Sequence, residues 1–273
     1  IPLTVLEGKV LSPIAPLANW GLKQKPIRFA VEKIIKVHRE APMPEAHTET
    51  LSKWIRKHKP ATKPTKGPVI FFQGCAGGYF ETETSVKSIE VLEHLGYEVL
   101  VPKQGCCGLA QQSNGLFKQS TKTLLDICDK IIARGKNIPV VSSSGSCIGM
   151  IKHEAHEIMG VDDPRLHDVS VRSFDFCEFL MEEYRNGEID LSDLKPLDLT
   201  VPYHQPCQVK SQGMGFPAVQ LMELIPGVKV LESNEPCCGI AGTYGLKAER
   251  YDVSQRIGAK VFEHMREYNE GVG

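Results

Sequence analysis

The stretch YEVLVPKQGCCG, residues 97–108, indicates the fold because an apolar run of strand character leads into two adjacent cysteines. The run YEVLVP follows Gly96, which ends a helical pattern, and it precedes Cys106, Cys107 and Gly108. A short run of this kind after a helix is typical of a strand in a parallel sheet. The paired cysteines are therefore predicted to follow the carboxyl end of a strand.

Helical and strand-like segments alternate on both sides of this stretch. The predicted elements are the strands 68–74 (PVIFFQG) and 138–144 (IPVVSSS) and the helices 83–96 and 120–135. Cys75 follows the first of these strands and Cys147 follows the last. Strand, helix, strand, helix, strand is the pattern of an α/β unit with a parallel sheet.

The same pattern returns in the second half of the chain. Its predicted elements are the strands 199–204 and 228–233 and the helices 216–227 and 247–269. Cys75 and Cys106 are 31 positions apart, and Cys207 and Cys237 are 30 apart. Cys207 follows Cys75 by 132 positions, and Cys237 follows Cys106 by 131. Two units in step over this length predict an internal duplication.

The duplication predicts three regions along the chain. Residues 1–67 form an amphipathic N-terminal segment and a linker, residues 68–197 a first α/β unit, and residues 198–273 a second one. The second-unit counterpart of Cys147 would lie beyond the last residue of the sequence. We therefore expect a second unit that is truncated at its C-terminal end and a chain that also lacks its true N-terminus.

Composition narrows the class of protein. The chain has 273 residues, a formal net charge of -1 and nine cysteines. The net charge does not favour a nucleic-acid partner, and no apolar run is long enough for a membrane-spanning helix. The cysteine content is far below that of a small disulfide-stapled secreted domain, so we expect a reduced cytoplasmic chain.

The cysteines at the strand ends form candidate metal sites. Ligands of open parallel sheets bind beyond the carboxyl ends of the strands, so the thiols of Cys75, Cys106, Cys107 and Cys147 should converge. Thiolates select zinc, copper(I) or iron–sulfur clusters. Two adjacent thiolates suit a cluster with several irons better than one tetrahedral ion. Zinc in the first unit and inert buried thiols remain the alternatives, and Cys128 and Cys177, in the predicted helices LLDICDKII and FDFCEFL, are interpreted as structural.

The repeated C…CCG pattern resembles the cysteine-rich CCG domain of the heterodisulfide reductase B-type subunits, glycolate oxidase iron–sulfur subunits and lactate-utilisation proteins. The segments GCCGLAQQSNGLF, YHQPCQ and IPGVKVLESNEPCCGIAGTYGLKAERYDVSQRIGAKVF are similar to those of the C-type subunits of anaerobic glycerol-3-phosphate dehydrogenases. This resemblance covers roughly residues 68–269. It implies a duplicated α/β module that holds iron–sulfur clusters.

The resemblance also implies the ligand sets. They are Cys75, Cys106, Cys107 and Cys147 in the first unit and Cys207, Cys237 and Cys238 in the second. Relatives of the heterodisulfide reductase type hold a non-cubane 4Fe–4S cluster with five cysteines. This chain departs from that pattern at SSSGSC, where Ser144 occupies the position of the first cysteine in the family's CxxC motif. A regular 4Fe–4S cluster and zinc therefore stay open for the first unit.

The family's role implies the partners. We expect an electron-transfer subunit that receives electrons from a flavin-containing dehydrogenase partner and passes them to a membrane quinone. A ferredoxin-like domain would lie upstream of Ile1. The alternatives are a heterodisulfide-reductase-like or glycolate/lactate oxidase iron–sulfur subunit and a zinc-stapled scaffold that anchors a dehydrogenase to the membrane. No nucleotide-binding or P-loop motif occurs, so substrate oxidation is expected on another subunit.

Two further features carry predictions. His204, three residues before Cys207, would hydrogen-bond the metal centre or take a proton during quinone reduction. Residues 26–40 predict a basic amphipathic helix near Leu17 and Trp20, suited to the cytoplasmic face of the inner (cell) membrane or to a partner subunit. Its apolar face comprises Ile27, Val31, Ile34 and Ile35, and its basic residues are Arg28, Lys33, Lys36 and Arg39.

Overall fold

The computed structural model describes residues 8–269, which form two compact units. The first unit consists of the chain up to Ile35 together with Arg39–Phe176, and the second of Lys36–His38 together with the chain from Cys177 onward. Each unit pairs its strands in parallel, which confirms the predicted duplicated α/β module. The predicted domain boundaries remain a prediction.

The first unit contains a four-stranded parallel sheet in the order β2-β1-β3-β4. Its strands are β1 (Pro68–Phe71), β2 (Glu98–Leu100), β3 (Val140–Ser142) and β4 (Ser173–Asp175). Ile70 of the central strand β1 lies opposite Leu100 on one side and Val140 on the other. Because all strands run in the same direction, the loops after β1, β2 and β3 meet at one edge of the sheet.

Three helices of the first unit precede β1 in the N-terminal segment, and the others follow β1 along the chain. They are α1 (Ala15–Leu22), α2 (Lys25–Ile35), α3 (Leu51–Lys57), α4 (Ala76–Tyr79), α5 (Thr82–His94), α6 (Leu109–Gln112), α7 (Phe117–Ile132), α8 (Gly145–Gly149), α9 (Ala155–Glu157) and α10 (Pro164–Ser170). A π-helical segment, Met150–Glu154, connects α8 to α9. The side chain of Asp163 caps α10 by accepting a hydrogen bond from the Arg165 backbone N–H at 2.9 Å.

The core of the first unit lies between α7 and the sheet. Leu124, Ile127 and Ile131 of α7 are spaced on one helical face, and they are buried in one cluster with Ile70 and Val140. The thiols of Cys107 and Cys147 belong to the same cluster. The candidate metal site of this unit therefore borders the apolar core.

The second unit contains two parallel strands, β5 (Leu199–Tyr203) and β6 (Val228–Glu232). Its helices are α11 (Phe176–Arg185), which leads into the unit, α12 (Cys207–Lys210), α13 (Pro217–Glu223) and α14 (Tyr251–Asn269). Val37 pairs with Lys247 in an isolated antiparallel bridge, and the His38 ring stacks on Tyr251 with 4.1 Å between centroids. These contacts attach the short segment Lys36–His38 to this unit.

The prediction of helix throughout FDFCEFL was wrong at its start. Phe174 and Asp175 belong to β4, and α11 begins only at Phe176. The three residues of β4 pair with β3, so their conformation depends on a partner strand about thirty residues away in sequence. Cys128 is fully buried, as expected for a structural thiol, whereas Cys177 is half-buried.

The segment predicted as a linker is partly helical. Leu51, the first residue of α3, is completely buried, and the Trp54 ring stacks on His58 with 4.0 Å between centroids. His58 Nε2 lies 2.7 Å from a carboxylate oxygen of Glu93 on α5. These contacts fix α3 on the first unit.

The predicted amphipathic helix is shorter than expected. It ends at Ile35, and Lys36 has a φ of +60°, so neither Lys36 nor Arg39 lies on it. Arg28 is buried, and its guanidinium donates hydrogen bonds to the backbone carbonyls of Arg39 and Ala41 at 2.8 and 2.5 Å. Across residues 8–269, no helix has both the length and the apolar character needed to cross a bilayer.

Candidate metal centres

The four predicted thiols of the first unit lie together at the carboxyl edge of its sheet. The Sγ atoms of Cys75 and Cys106 are 3.9 Å apart. The Cys107 thiol is hydrogen-bonded to the sulfurs of both Cys106 and Cys147. A Cβ on Gly74 would come within 3.1 Å of the Cys147 sulfur, which places Cys147 beside the turn that carries Cys75. The loops after β1, β2 and β3 thus meet as the parallel topology requires.

Burial and mutual hydrogen bonding set the protonation of these thiols. Cys106 and Cys107 are each 2% exposed and Cys147 is 7% exposed. Hydrogen bonding to Cys106 and Cys147, with burial, raises the pKa of Cys107. Hydrogen bonds from Cys107 and from the Ser144 hydroxyl lower the pKa of Cys147 despite burial. Ser144, at the position where the family has a further cysteine, therefore hydrogen-bonds the neighbouring sulfur.

Backbone geometry explains why glycine follows the paired cysteines. Gly108 has a φ of +93°, and its backbone N–H donates to Cys106 Sγ at 3.4 Å. A Cβ at this position would lie 3.0 Å from the backbone oxygen of Ser120 on α7. A side chain would be opposed both by the left-handed backbone and by the helix behind it.

The second unit repeats this arrangement with three thiols. Cys207 is hydrogen-bonded to Cys237, and Cys238 lies close enough to influence the Cys207 thiol electrostatically. Burial, followed by the Cys237 sulfur, raises the pKa of Cys207. Gly239 has a φ of +85°, and its N–H donates to Cys237 Sγ at 3.3 Å. Cys207 is exposed and the pair is half-buried, whereas in the first unit the pair is buried and Cys75 is half-buried.

His204 lies at the end of β5 in the same unit. Its Nδ1 is 2.9 Å from the Ser233 hydroxyl. Burial, with a smaller contribution from Lys210, lowers the pKa of the imidazole. The Nε2 atom is buried and makes no hydrogen bond within the described chain. Burial thus favours the neutral form of the ring, and Nε2 is left for a further group.

The donor set fits a soft metal centre. The cysteines lie in the described part of the chain, and no disulfide forms among them there. Buried side-chain oxygens of Gln73 and Gln205, each two residues before the first thiol of its unit, make no hydrogen bond within residues 8–269. Over the same range, no three His, Cys, Asp or Glu side chains surround one point as a single metal ion requires. The assignment of the seven cysteines as ligands remains a prediction.

Sequence reasoning missed the residues whose side chains bond to the backbone just before the first cysteine of each unit. Gln104 bonds the backbone at the end of β1, and Glu232 bonds the backbone N–H of Gln205 after β5. The available signal was the repeated glutamine in FFQGC and YHQPC, two positions before each first cysteine. No periodicity in the sequence identifies Gln104 and Glu232 as the side chains that bond to the backbone of these glutamines.

Comparison with known proteins assigns the chain to a family. The family model of the cysteine-rich CCG domain matches residues 69–152 and 201–272, which include all seven of the strand-end cysteines. The chain therefore belongs to the CCG cysteine-rich domain family. The first matched segment lies within the first unit and the second within the second unit.

Several curated proteins are similar to this chain. The C subunit of anaerobic glycerol-3-phosphate dehydrogenase of Escherichia coli is 32% identical over 267 residues, 97% of this chain and 66% of that protein. The B subunit of fumarate reductase (CoM/CoB) of Methanothermobacter marburgensis is 27% identical over 208 residues, 73% of this chain and 38% of that protein. Lactate utilization protein A of Oceanobacillus iheyensis is 28% identical over 207 residues, 73% of this chain and 80% of that protein. The chain thus spans just under two thirds of the length of the E. coli protein.

Proposed function

We propose that this chain is the iron–sulfur electron-transfer subunit of a quinone-linked anaerobic glycerol-3-phosphate dehydrogenase. The observation that carries the proposal is the convergence of thiols at the carboxyl edge of both parallel sheets, with Cys75 and Cys106 in sulfur–sulfur contact. The 32% identity to the C subunit of such a dehydrogenase supports the choice of complex. A flavin-containing partner would oxidise the substrate.

The proposed ligands are Cys75, Cys106, Cys107 and Cys147 for a 4Fe–4S cluster in the first unit. Cys207, Cys237 and Cys238 would contribute to a second centre. One-electron exchange is the chemistry that an iron–sulfur centre supplies when it is bound.

The chain's own residues prepare the first site for a metal centre. The burial of Cys106, Cys107 and Cys147 excludes water from the sulfurs. The Gly108 N–H donates a hydrogen bond to Cys106 Sγ, and the Ser144 hydroxyl donates one that lowers the pKa of Cys147. Hydrogen bonds to ligand sulfurs are one of the means by which a protein tunes the potential of such a centre.

The second site has the features of an exchange point with a partner or acceptor. Cys207 is exposed, so an external molecule can approach it closely. His204, whose Nε2 makes no hydrogen bond within residues 8–269, would take a proton from solvent and pass it to the quinone, because quinone reduction consumes protons. Ser233 fixes the ring through Nδ1.

The N-terminal helices support peripheral association with the cytoplasmic face of the cell membrane. Exposed apolar side chains lie on both α1 and α2, with Leu17 65%, Trp20 61% and Ile34 77% exposed. Lys33 lies over the Phe29 ring, 5.4 Å from its centroid, and adds positive charge to this surface. Apolar and basic side chains together bind anionic lipid surfaces.

Anaerobic metal analysis tests the central proposal. The chain, purified without oxygen, should contain iron and acid-labile sulfide and should show an EPR signal on reduction. Stoichiometric zinc without iron would favour the zinc-stapled scaffold. Iron together with reduction of a disulfide substrate in the absence of quinone would favour the heterodisulfide-reductase type.

Liposome sedimentation tests the membrane role. The Ile34→Ser variant should bind anionic vesicles more weakly than the parent chain, because it removes an exposed apolar side chain from α2. Val171→Ser removes a side chain of similar exposure, 67%, elsewhere in the first unit and should bind as the parent does. Equal binding by all three proteins would contradict the membrane assignment.

A further inference from the structure

The end of β1 is fastened to the paired-thiol loop by one side chain. Gln104 Oε1 accepts a hydrogen bond from the Gln73 backbone N–H at 2.9 Å, and Gln104 Nε2 donates to the Phe71 carbonyl at 2.5 Å. Phe71 is fully buried and Gln73 is 6% exposed. Buried backbone groups need such partners because an unsatisfied one is costly.

In the second unit, the corresponding N–H and carbonyl groups at the end of β5 are also hydrogen-bonded. The Gln205 N–H donates to the carboxylate of Glu232, at 3.2 Å from the nearer oxygen. The Tyr203 carbonyl accepts from the backbone N–H of Ser233 at 2.9 Å. Tyr203 and Gln205 follow their first-unit counterparts by 132 positions, the offset that also separates the first cysteines of the two units.

The groups that provide these bonds differ between the units. By strand register, Leu100 corresponds to Leu231, so the counterpart of Gln104 is Glu235 and not Glu232. One carboxamide makes both bonds in the first unit, whereas a carboxylate and a backbone N–H share them in the second. Two different solutions for the same pair of backbone groups indicate that the attachment itself matters for the site.

We propose that Gln104 is a positioning residue that fixes the distance between the first thiol and the paired thiols. Its side chain holds Gln73, two residues before Cys75, while its own backbone lies two residues before Cys106. The 3.9 Å separation of the two sulfurs is the geometry that this attachment maintains. The metal-binding consequence rests on the proposed function of this site as a metal centre.

The experiment compares three variants of this chain. Gln104→Ala removes both hydrogen bonds, and Gln104→Glu keeps an acceptor for Gln73 but removes the donor to Phe71. Gln112→Ala, the control, removes a single side-chain bond to Glu154 in the same unit. Losing a group that orients a metal ligand typically costs about 10–100-fold in metal affinity.

Two measurements follow each variant. The first is the rate of iron release to a ferrous chelator under anaerobic conditions. The second is the rate of Cys75 alkylation by iodoacetamide in the reduced, metal-free chain, mapped by mass spectrometry with Cys207 as the internal reference. Gln104→Ala should release first-unit iron about tenfold faster and alkylate Cys75 faster relative to Cys207. Gln104→Glu should be intermediate, and the control should match the parent chain.

The outcomes separate this inference from the proposed function. A parent chain without iron would refute the proposed iron–sulfur centre, and the ratio of alkylation rates would still test the positioning role. The positioning role would be overturned if the ratio of the Cys75 to the Cys207 alkylation rate were the same in the parent and in Gln104→Ala. Equal acceleration of both cysteines would give that result. Should Gln104→Ala fail to fold by circular dichroism, Gln104→Glu decides by the same two measurements.

Discussion

Adding a single methyl group at Gly239 should destabilise the second unit strongly. Gly239 has a φ of +85°, and a Cβ there would lie 2.3 Å from the backbone oxygen of Ser254 on α14. The left-handed conformation costs an L-residue roughly 1–2 kcal/mol. Overpacking of a close contact adds about 1–3 kcal/mol, because a backbone carbonyl within a helix cannot easily move away. Gly239→Ala should therefore lower the free energy of unfolding by about 2–5 kcal/mol.

A matched control isolates the contact from the backbone conformation. Gly213, in the same unit, has a φ of +69° and open space within 4 Å of where a methyl group would lie, so Gly213→Ala should cost only about 1–2 kcal/mol. Urea unfolding of the reduced, metal-free chain, followed by far-ultraviolet circular dichroism, measures both variants. The fluorescence of Trp20 and Trp54, both in the first unit, reports separately on that unit. Equal losses of stability in the two variants would refute the reasoning.

Three other substitutions test contacts in the first unit. Arg28→Ala removes charged hydrogen bonds to two backbone carbonyls and should lower the free energy of unfolding by about 1.5–3 kcal/mol. Urea unfolding followed by tryptophan fluorescence measures this loss, and an unchanged midpoint would contradict the prediction. Hydrogen bonding to Arg165 lowers the pKa of Asp163 to about 2, so this carboxylate stabilises the folded state above about pH 4 and loses its effect as the pH falls through about 2. The thermal stability deficit of Asp163→Ala should therefore shrink between pH 5 and pH 2, and a constant deficit would exclude this origin. Ser144→Ala removes a hydrogen bond that lowers the pKa of Cys147, so the pH profile of Cys147 alkylation in the metal-free chain should shift upward; an unshifted profile would show that the hydroxyl has no effect.

The main elements of the fold could be predicted because their signals are local. The helix predicted over 83–96 forms over Thr82–His94, and the strand predicted over 228–233 forms over Val228–Glu232. The short strand β4 was missed because pairing with β3 determines it. Helix α3 was also not predicted, because it lies in a polar, proline-bearing segment. Its first residue, Leu51, is completely buried in the fold.

The thiol clusters could be predicted and their supports could not. Parallel strands bring the residues that follow them to one edge, so the meeting of Cys75 with Cys106 follows from strand order alone. The bonds of Gln104 depend on the path of a loop, which no periodicity encodes. The charge pattern of α2 places Arg28 away from the apolar face, but it does not reveal that backbone carbonyls accept hydrogen bonds from the guanidinium.

The two repeats agree in their backbone contacts and differ in the burial of their thiols. The N–H groups of Gly108 and Gly239 donate to the first sulfur of each pair at 3.4 and 3.3 Å, and both strand ends are bonded to the next strand or the loop that follows it. Yet Cys106 is buried whereas its counterpart Cys237 is half-buried, and Cys75 is half-buried whereas its counterpart Cys207 is exposed. Burial of a charged sulfur is costly unless it is compensated, and solvent reduces that cost for an exposed one, so the two environments place different demands on a bound centre. Because the same hydrogen bonds persist in both environments, the duplication has preserved the placement of the sulfurs more strictly than their exposure.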